Sequence, residues 1–267
     1  MKQVKTILLT GASSGIGLEM AKMLATQNHR LILVSRSNER LEAIAADLAK
    51  KTSAEILVHA LDLSMPQAAQ QLLSYCDAQQ FEIDILINNA GFGILEEHVK
   101  IAPEKLRQML QLNVVTVAEL CQAFGARMKQ RRAGTILNVA STAGFQATPY
   151  FAAYGASKAF VLCLSEAIAK ELEDAGVRVC CLAPGPTDTA FFDAIKPQQI
   201  DEGHYFKKAG RTNVRSVAEA GVALLTHGGT TRVVGLANQI MIFGNRFAPR
   251  SVVAAISKRL LKPVNIT

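Results

Sequence analysis

Along most of the chain, short apolar and β-branched runs alternate with longer stretches of helical period. The runs at 4–10, 31–35, 55–61, 83–88, 134–140, 177–183 and 231–234 are apolar almost throughout and do not alternate with polar residues. That pattern predicts strands covered on both faces, as in a parallel sheet. Helical periods fill the intervals 16–27, 38–51, 66–79, 103–132, 150–174 and 216–226. Pro66 and Pro103 stand where a first helical position tolerates proline, because the N–H it lacks would have no helical partner there. The βαβ rhythm predicts an α/β fold, a doubly wound parallel sheet of about seven strands with helices on both faces. With no low-complexity linker, residues 1–267 are expected to form a single domain.

Two segments break the rhythm. The interval 187–215 follows a Pro-Gly-Pro turn, has no strong period and contains Phe191, Phe192, Tyr205 and Phe206. An irregular insertion of that length is uncommon in a compact domain unless it is functional, and it is expected to be the substrate loop. The second segment is the tail, 236–267. There Leu236, Ile240, Phe243 and Phe247 recur at helical spacing, and after Pro249 so do Val252, Ile256 and Leu260, beside Arg250, Lys258, Arg259 and Lys262. A short strand over 240–243 is the other reading of its first half.

Charge sharpens the contrast. The chain has 29 Lys and Arg against 22 Asp and Glu, a formal net charge of +7. From Lys196 onward there are 11 basic and 3 acidic residues, so the excess belongs to the C-terminal quarter. With 49% apolar residues the chain has ample core material, which excludes an intrinsically disordered or collagen-like chain. Cys76, Cys121, Cys163, Cys180 and Cys181 form no C-x-x-C pair and accompany no His cluster, so neither a disulfide framework nor a metal site is expected. They read as small apolar residues in a reducing compartment. The N-terminal apolar run is too short for a signal peptide, and no stretch reaches the roughly 18 uncharged apolar residues of a membrane span. The expected location is cytoplasmic, with peripheral membrane contact through the tail left open.

Three constellations carry chemistry. Thr10-Gly11-Ala12-Ser13-Ser14-Gly15-Ile16-Gly17 joins the first strand to the first helix. Glycines in such a turn let backbone N–H groups approach a pyrophosphate at a helix N-terminus, the feature of Rossmann-like dinucleotide sites. Ser35 and Arg36 end the second strand, where NAD-specific folds present a carboxylate to the ribose 2′-hydroxyl. Here there is none, and a guanidinium suits a 2′-phosphate, so NADP(H) is expected in preference to NAD(H). Tyr154 and Lys158 lie four apart on one predicted helix, which brings an ammonium near a phenol. Nearby positive charge favours the phenolate and is expected to lower the ordinary phenol pKa of about 10.

With these in place the chain resembles the short-chain dehydrogenase/reductase family, in its compact single-domain branch. The glycine turn, Asn88-Asn89-Ala90-Gly91, Asn113, Ser141, Tyr154-Gly155-Ala156-Ser157-Lys158 and Pro184-Gly185-Pro186-Thr187-Asp188-Thr189 occur in the family's order. The resemblance implies an oxidoreductase in which Tyr154 exchanges a proton with the substrate oxygen and Ser141 hydrogen-bonds that oxygen. Lys158 would bind the nicotinamide ribose and lower the Tyr154 pKa, and Asn113 would hold water in a proton relay. Gly11, Ser13, Ser14, Gly15, Ile16 and Gly17 would cradle the cofactor, with Asp62 and Leu63 at the adenine. Asn89, Ala90 and Gly91 would line the adenosine ribose, while Pro184, Gly185, Thr187 and Thr189 would face the carboxamide and phosphates. The plainer reading of Asn88 and Asn89 is that they fasten neighbouring strands, and of Asp62 that it caps a turn.

Phe145, Tyr150 and Phe151 beside the serine and tyrosine, with the aromatic insertion, point to an apolar, lipid-like ketone as the small-molecule substrate. A 3-oxoacyl-type reductase, a steroid or polyol dehydrogenase, and a non-enzymatic NADP(H)-sensing regulator are the rival readings. The family's habit implies a homodimer or homotetramer. No nucleic-acid-binding motif is recognisable, and the tail has three open readings: packing on its own fold or a second subunit, lying on an anionic membrane, or docking an acidic carrier protein.

Overall fold

The computed structural model describes residues 4–189, 191 and 211–262. Seven parallel strands form one sheet: β1 (Thr6–Thr10), β2 (Arg30–Ser35), β3 (Ile56–Ala60), β4 (Ile85–Asn88), β5 (Gly134–Val139), β6 (Val177–Ala183) and β7 (Thr231–Val233), in the order β3-β2-β1-β4-β5-β6-β7. The helices between them are α1 (Gly15–Ala25), α2 (Asn38–Lys51), α3 (Ala68–Ala78), α4 (Pro103–Leu110), α5 (Thr116–Arg131), α6 (Ala152–Leu172) and α7 (Val214–His227). Parallel strands need such crossovers, and covering both faces explains why the strands read as unbroken apolar runs. Alternate residues feed two cores. Ile7, Leu9, Leu31 and Leu33 pack under α1 and α7, while Leu8, Ile32, Val34 and Leu86 pack against α3 and α5. Strand order reverses between β1 and β4, and the crevice at their C-terminal ends is where a doubly wound sheet takes a ligand.

Three local readings need correction. Pro66 does not open α3. The Asp62 carboxylate accepts from the Ser64 backbone N–H (2.9 Å) and hydroxyl (2.7 Å), holding a turn that continues to Gln67 at φ 63°, so the helix starts at Ala68. The helix expected over 103–132 is interrupted by a π turn, Gln111–Val115, centred on Asn113. The tail contains helices α8 (Leu236–Gly244) and α9 (Arg250–Leu261), which excludes the strand alternative at 240–243. Of the insertion at 187–215, residues 190 and 192–210, with Phe192, Tyr205 and Phe206, lie outside the described residues.

All five cysteines are free thiols, four of them buried. Among the described residues no group of three His, Cys, Asp or Glu could hold a metal ion. Among the described residues one helix, Ala152–Ala175, is long and apolar enough to cross a membrane, but half of its apolar stretch is buried within the fold.

Candidate active site

The glycine turn is built by steric exclusion. Gly11 has φ +67°, and a Cβ there would stand 2.8 Å from the Ala90 Cα; a Cβ on Gly17 would stand 2.2 Å from the Gly11 carbonyl oxygen. Both contacts are with backbone, which has nowhere to move. Thr10 Oγ1 accepts from the N–H groups of Asn89 (3.0 Å) and Ala90 (3.1 Å), and Asn89 Nδ2 donates to the carbonyls of Thr10 and Gly11 (both 3.1 Å). Asn89 therefore fastens the turn to the end of β4. Asn88 does the strand-fastening read from sequence, donating from Nδ2 to Asn138 Oδ1 (2.9 Å) across β4 and β5.

A cavity of about 500 Å³ opens over these strand ends. Gly11, Ser13, Ser14, Gly15 and Ile16 line it at the turn; Ser35 and Arg36, Asp62 and Leu63, and Asn89 to Gly91 follow. Ser141, Tyr154, Lys158, Pro184, Gly185, Thr187 and Thr189 line its other end. Of the expected site residues only Gly17 and Asn113 do not line it. Gly17 is packed under the turn. Asn113, fully buried, donates from Nδ2 to the Phe92 carbonyl (2.9 Å) and Ser157 Oγ (3.1 Å), and its Oδ1 accepts from the Phe92 N–H (3.2 Å). It reaches the cavity indirectly. A Cβ on Gly91 would meet Asn113 Oδ1 at 3.1 Å and Lys158 Nζ at 3.2 Å, so the bare glycine is what separates these two groups from the opening.

Among the lining residues that sequence reasoning missed, besides Phe92 and Gln146, two sets stand out. Ser37 and Arg40, at the start of α2, stand beside Arg36, and the spacing from 36 to 40 was the available signal. Met241, Ser257, Leu260 and Leu261 bring α8 and α9 into the cavity wall. Leu261 packs in one apolar cluster with Leu95, Phe151 and Tyr154, and Gln146 Nε2 donates to Ser257 Oγ (3.1 Å). No local pattern announces a contact more than a hundred residues apart.

Ser141 follows β5 and its Oγ accepts from the Ala143 N–H (3.1 Å), starting a short 3-10 turn. Gly144 in that turn lies flat on α6, where a Cβ would come within 2.8 Å of the Lys158 carbonyl. This close approach sets Ser141 beside Tyr154. The Tyr154 ring stacks on Phe151 (4.2 Å between centroids) and meets Phe191 at 5.6 Å. Burial pushes its phenol up to about 12, with the hydrogen bond from Ser141 acting in the opposite sense. The expected depression by Lys158 is not what the structure shows. Lys158 Nζ donates to the Val139 carbonyl (2.8 Å) and stands 5.8 Å from the ring centroid, and burial brings its own pKa down to about 8. Desolvation is the largest influence on both groups, above the Ser141 hydrogen bond at Tyr154 and the nearby Cys181 at Lys158.

The residues fit a dinucleotide. The turn is a cradle that a Cβ would fill, and the buried Ser35 Oγ, at the cavity end that Arg36 and Arg40 also line, has no hydrogen-bond partner in the structure.

Comparison with known proteins agrees. A family model described as short chain dehydrogenase matches residues 5–200. An uncharacterized oxidoreductase of Staphylococcus epidermidis is 32% identical over 222 residues, 83% of this chain and 91% of that protein. The 3-ketodihydrosphingosine reductase of Bacteroides thetaiotaomicron is 34% identical over 192 residues, covering 72% of this chain and 67% of that one. A short-chain dehydrogenase of Sphingobium yanoikuyae, solved in complex with NADPH, superposes with a TM-score of 0.81 at 30% identity, covering 91% of this chain and 94% of its own.

Proposed function

The chain belongs to the short-chain dehydrogenase family, and we propose that within it the protein is an NADP(H)-dependent reductase of an apolar, lipid-like ketone. The observation that carries this reading is one continuous cavity with guanidiniums at one end and, at the other, the Ser141–Tyr154 pair walled by Phe92, Phe151, Phe191 and Leu261. A wall of that kind binds by burying apolar surface, with few polar groups to fix orientation. That a relative is a 3-ketodihydrosphingosine reductase supports the substrate class.

Backbone N–H groups of the glycine turn would hold the pyrophosphate, Arg36 and Arg40 the 2′-phosphate, and Lys158 the nicotinamide ribose. The nicotinamide supplies or accepts the hydride. Ser141 hydrogen-bonds the substrate oxygen and orients it. Tyr154, neutral well above physiological pH, donates its Oη proton to that oxygen as the carbonyl becomes an alcohol, and would take it back in oxidation. Asn113, tied to Phe92 and Ser157, keeps the π turn shaped behind Lys158.

Turnover of NADPH and NADH on panels of apolar ketones and polar alcohols, run in both directions, tests the reading. Fastest turnover is expected for NADPH with an apolar ketone; preference for NAD and a polyol would overturn it. Arg36→Ala and Arg40→Ala should each raise the NADPH KM about ten-fold or more, the worth of a charge-assisted phosphate contact, and leave NADH nearly unchanged. Equal effects on both cofactors would remove the 2′-phosphate assignment. The assembly we propose is a homodimer or homotetramer through α4 to α6, where Leu110, Val115 and Phe160 are exposed. Sedimentation equilibrium showing a monomer would reject it.

A further inference from the structure

Helices α8 and α9 have two faces with different occupants. Inward, Met241, Ser257 and Leu261 wall the cavity, and Asn238 sits against Gly185, where an added Cβ would be 2.4 Å from its Nδ2. Outward, Leu236, Ile240, Phe243 and Phe247 are 72%, 63%, 59% and 77% exposed, and no residue of α8 is buried. Leu236, Ile240 and Phe243, at i, i+4 and i+7, make one stripe of α8, with Met241 on another side of the helix, and Phe247, in the 3-10 turn that follows, meets Phe243 edge-on at 5.3 Å between centroids. Helix α9 repeats the division: Val253, Ser257 and Leu261 are buried, and the adjoining row Val252, Ile256 and Leu260 is exposed. Leu260 belongs both to the exposed row and to the cavity lining, so the apolar surface runs to the cavity mouth.

The surroundings say what this surface fits. Arg246, Arg250, Lys258, Arg259 and Lys262 are all exposed on the same two helices or their junctions, and no Asp or Glu follows Glu219 anywhere in the chain. We propose that α8 and α9 lie on an anionic lipid bilayer, with the exposed rows among the acyl chains, the cations at the headgroups, and the cavity mouth against the membrane. An amphipathic helix with aromatic and aliphatic residues on one side and cations beside them binds lipid surfaces in this way. A second copy of the chain is the poorer occupant, because a two-fold contact would set these cations against their own images with no carboxylate on either helix to separate them. The docking stands independently of the redox reading; only the further step, that substrate enters from the bilayer, rests on the lipid-like ketone.

The test is co-sedimentation of the full chain with vesicles of phosphatidylcholine and phosphatidylserine at about three to one, against phosphatidylcholine alone. The protein should pellet with the anionic vesicles and be partly released by salt. The double variant I240S/F247S, which alters exposed positions that do not line the cavity, should partition about ten-fold less while keeping turnover on a water-soluble ketone. Wild-type sedimentation no greater than with phosphatidylcholine alone, or equal partition by the variant, overturns the proposal. So does a dimer that the variant dissolves in the absence of vesicle binding. None of these outcomes bears on cofactor use, and loss of all redox activity would leave the docking measurement intact.

Discussion

Replacing Tyr154 by Phe should lower ketone reduction by about 10²–10⁴-fold, the range that a positioned proton donor contributes, while NADPH affinity changes less than about three-fold. The substitution removes one oxygen and keeps the ring. Phe fills the same space between Phe151 and Phe191, so the stacking at 4.2 and 5.6 Å and the packing against Leu261 persist. Gly93 fits against this pair because it lacks a side chain; its Cβ would lie 2.6 Å from Phe151 and 3.0 Å from Tyr154, and the variant asks nothing of it. Only the hydrogen bond with Ser141 is lost, at a cost of about 1 kcal/mol. Loss of turnover with a folded, cofactor-binding protein would therefore report chemistry. Turnover within ten-fold of wild type would mean that another group supplies the proton.

The strands were legible because a parallel sheet buries both faces, so that runs such as 31–35 and 177–183 are apolar without alternation. Boundaries slipped where side chains competed with helix formation, as when Asp62 captured Ser64 and delayed α3 to Ala68. The π turn at Asn113 has no periodic signature, since one additional residue in a turn leaves the surrounding 3.6-residue pattern almost undisturbed. Motif residues were legible for a different reason. Gly11 and Gly15 adopt positive φ (+67° and +54°), and a Cβ on Gly17 would stand 2.2 Å from the Gly11 carbonyl oxygen, so the turn itself requires glycine there. Arg40 carried a signal only in its spacing from Arg36, and the α9 wall carried none, because its role depends on which distant strand end it faces. The Tyr154 and Lys158 pair was found by spacing, but spacing carries no information on desolvation, which decides the direction of both pKa shifts.

Lys158 gives the second large effect, visible in activity and in stability with opposite signs. Its pKa is brought from 10.5 down to about 8 by burial, so the charged form is disfavoured in the folded protein. Because the ammonium stands beside Tyr154 and would hold the cofactor ribose, kcat/KM for reduction should fall above about pH 8, approaching ten-fold per pH unit. Lys158→Met keeps the length of the side chain and removes the charge. It should reduce kcat/KM about 10²-fold at pH 7 and abolish the limb near pH 8; a variant that kept this limb would assign it to another group. For stability, the unfolded chain retains the Lys158 proton between pH 8 and 10.5 while the folded chain has lost it. The unfolded state then binds more protons, so this residue's contribution to stability rises with pH through that interval. Below pH 8 the wild type carries the full cost of burying an ammonium, and Lys158→Met should be the more stable protein by on the order of 2 kcal/mol, after allowing for the Val139 carbonyl losing its donor. That advantage should shrink toward pH 10.5. Burial also raises the thiols of Cys76, Cys121 and Cys181 to about 11, which alters stability over part of the same range, but both proteins share these groups. Cys76 and Cys121 therefore cancel in the difference between the two melting curves, which reports Lys158 together with its coupling to the neighbouring Cys181 thiol. A variant less stable than wild type at pH 7, with no pH trend in the difference, would show that the ammonium is held by attraction rather than at a cost.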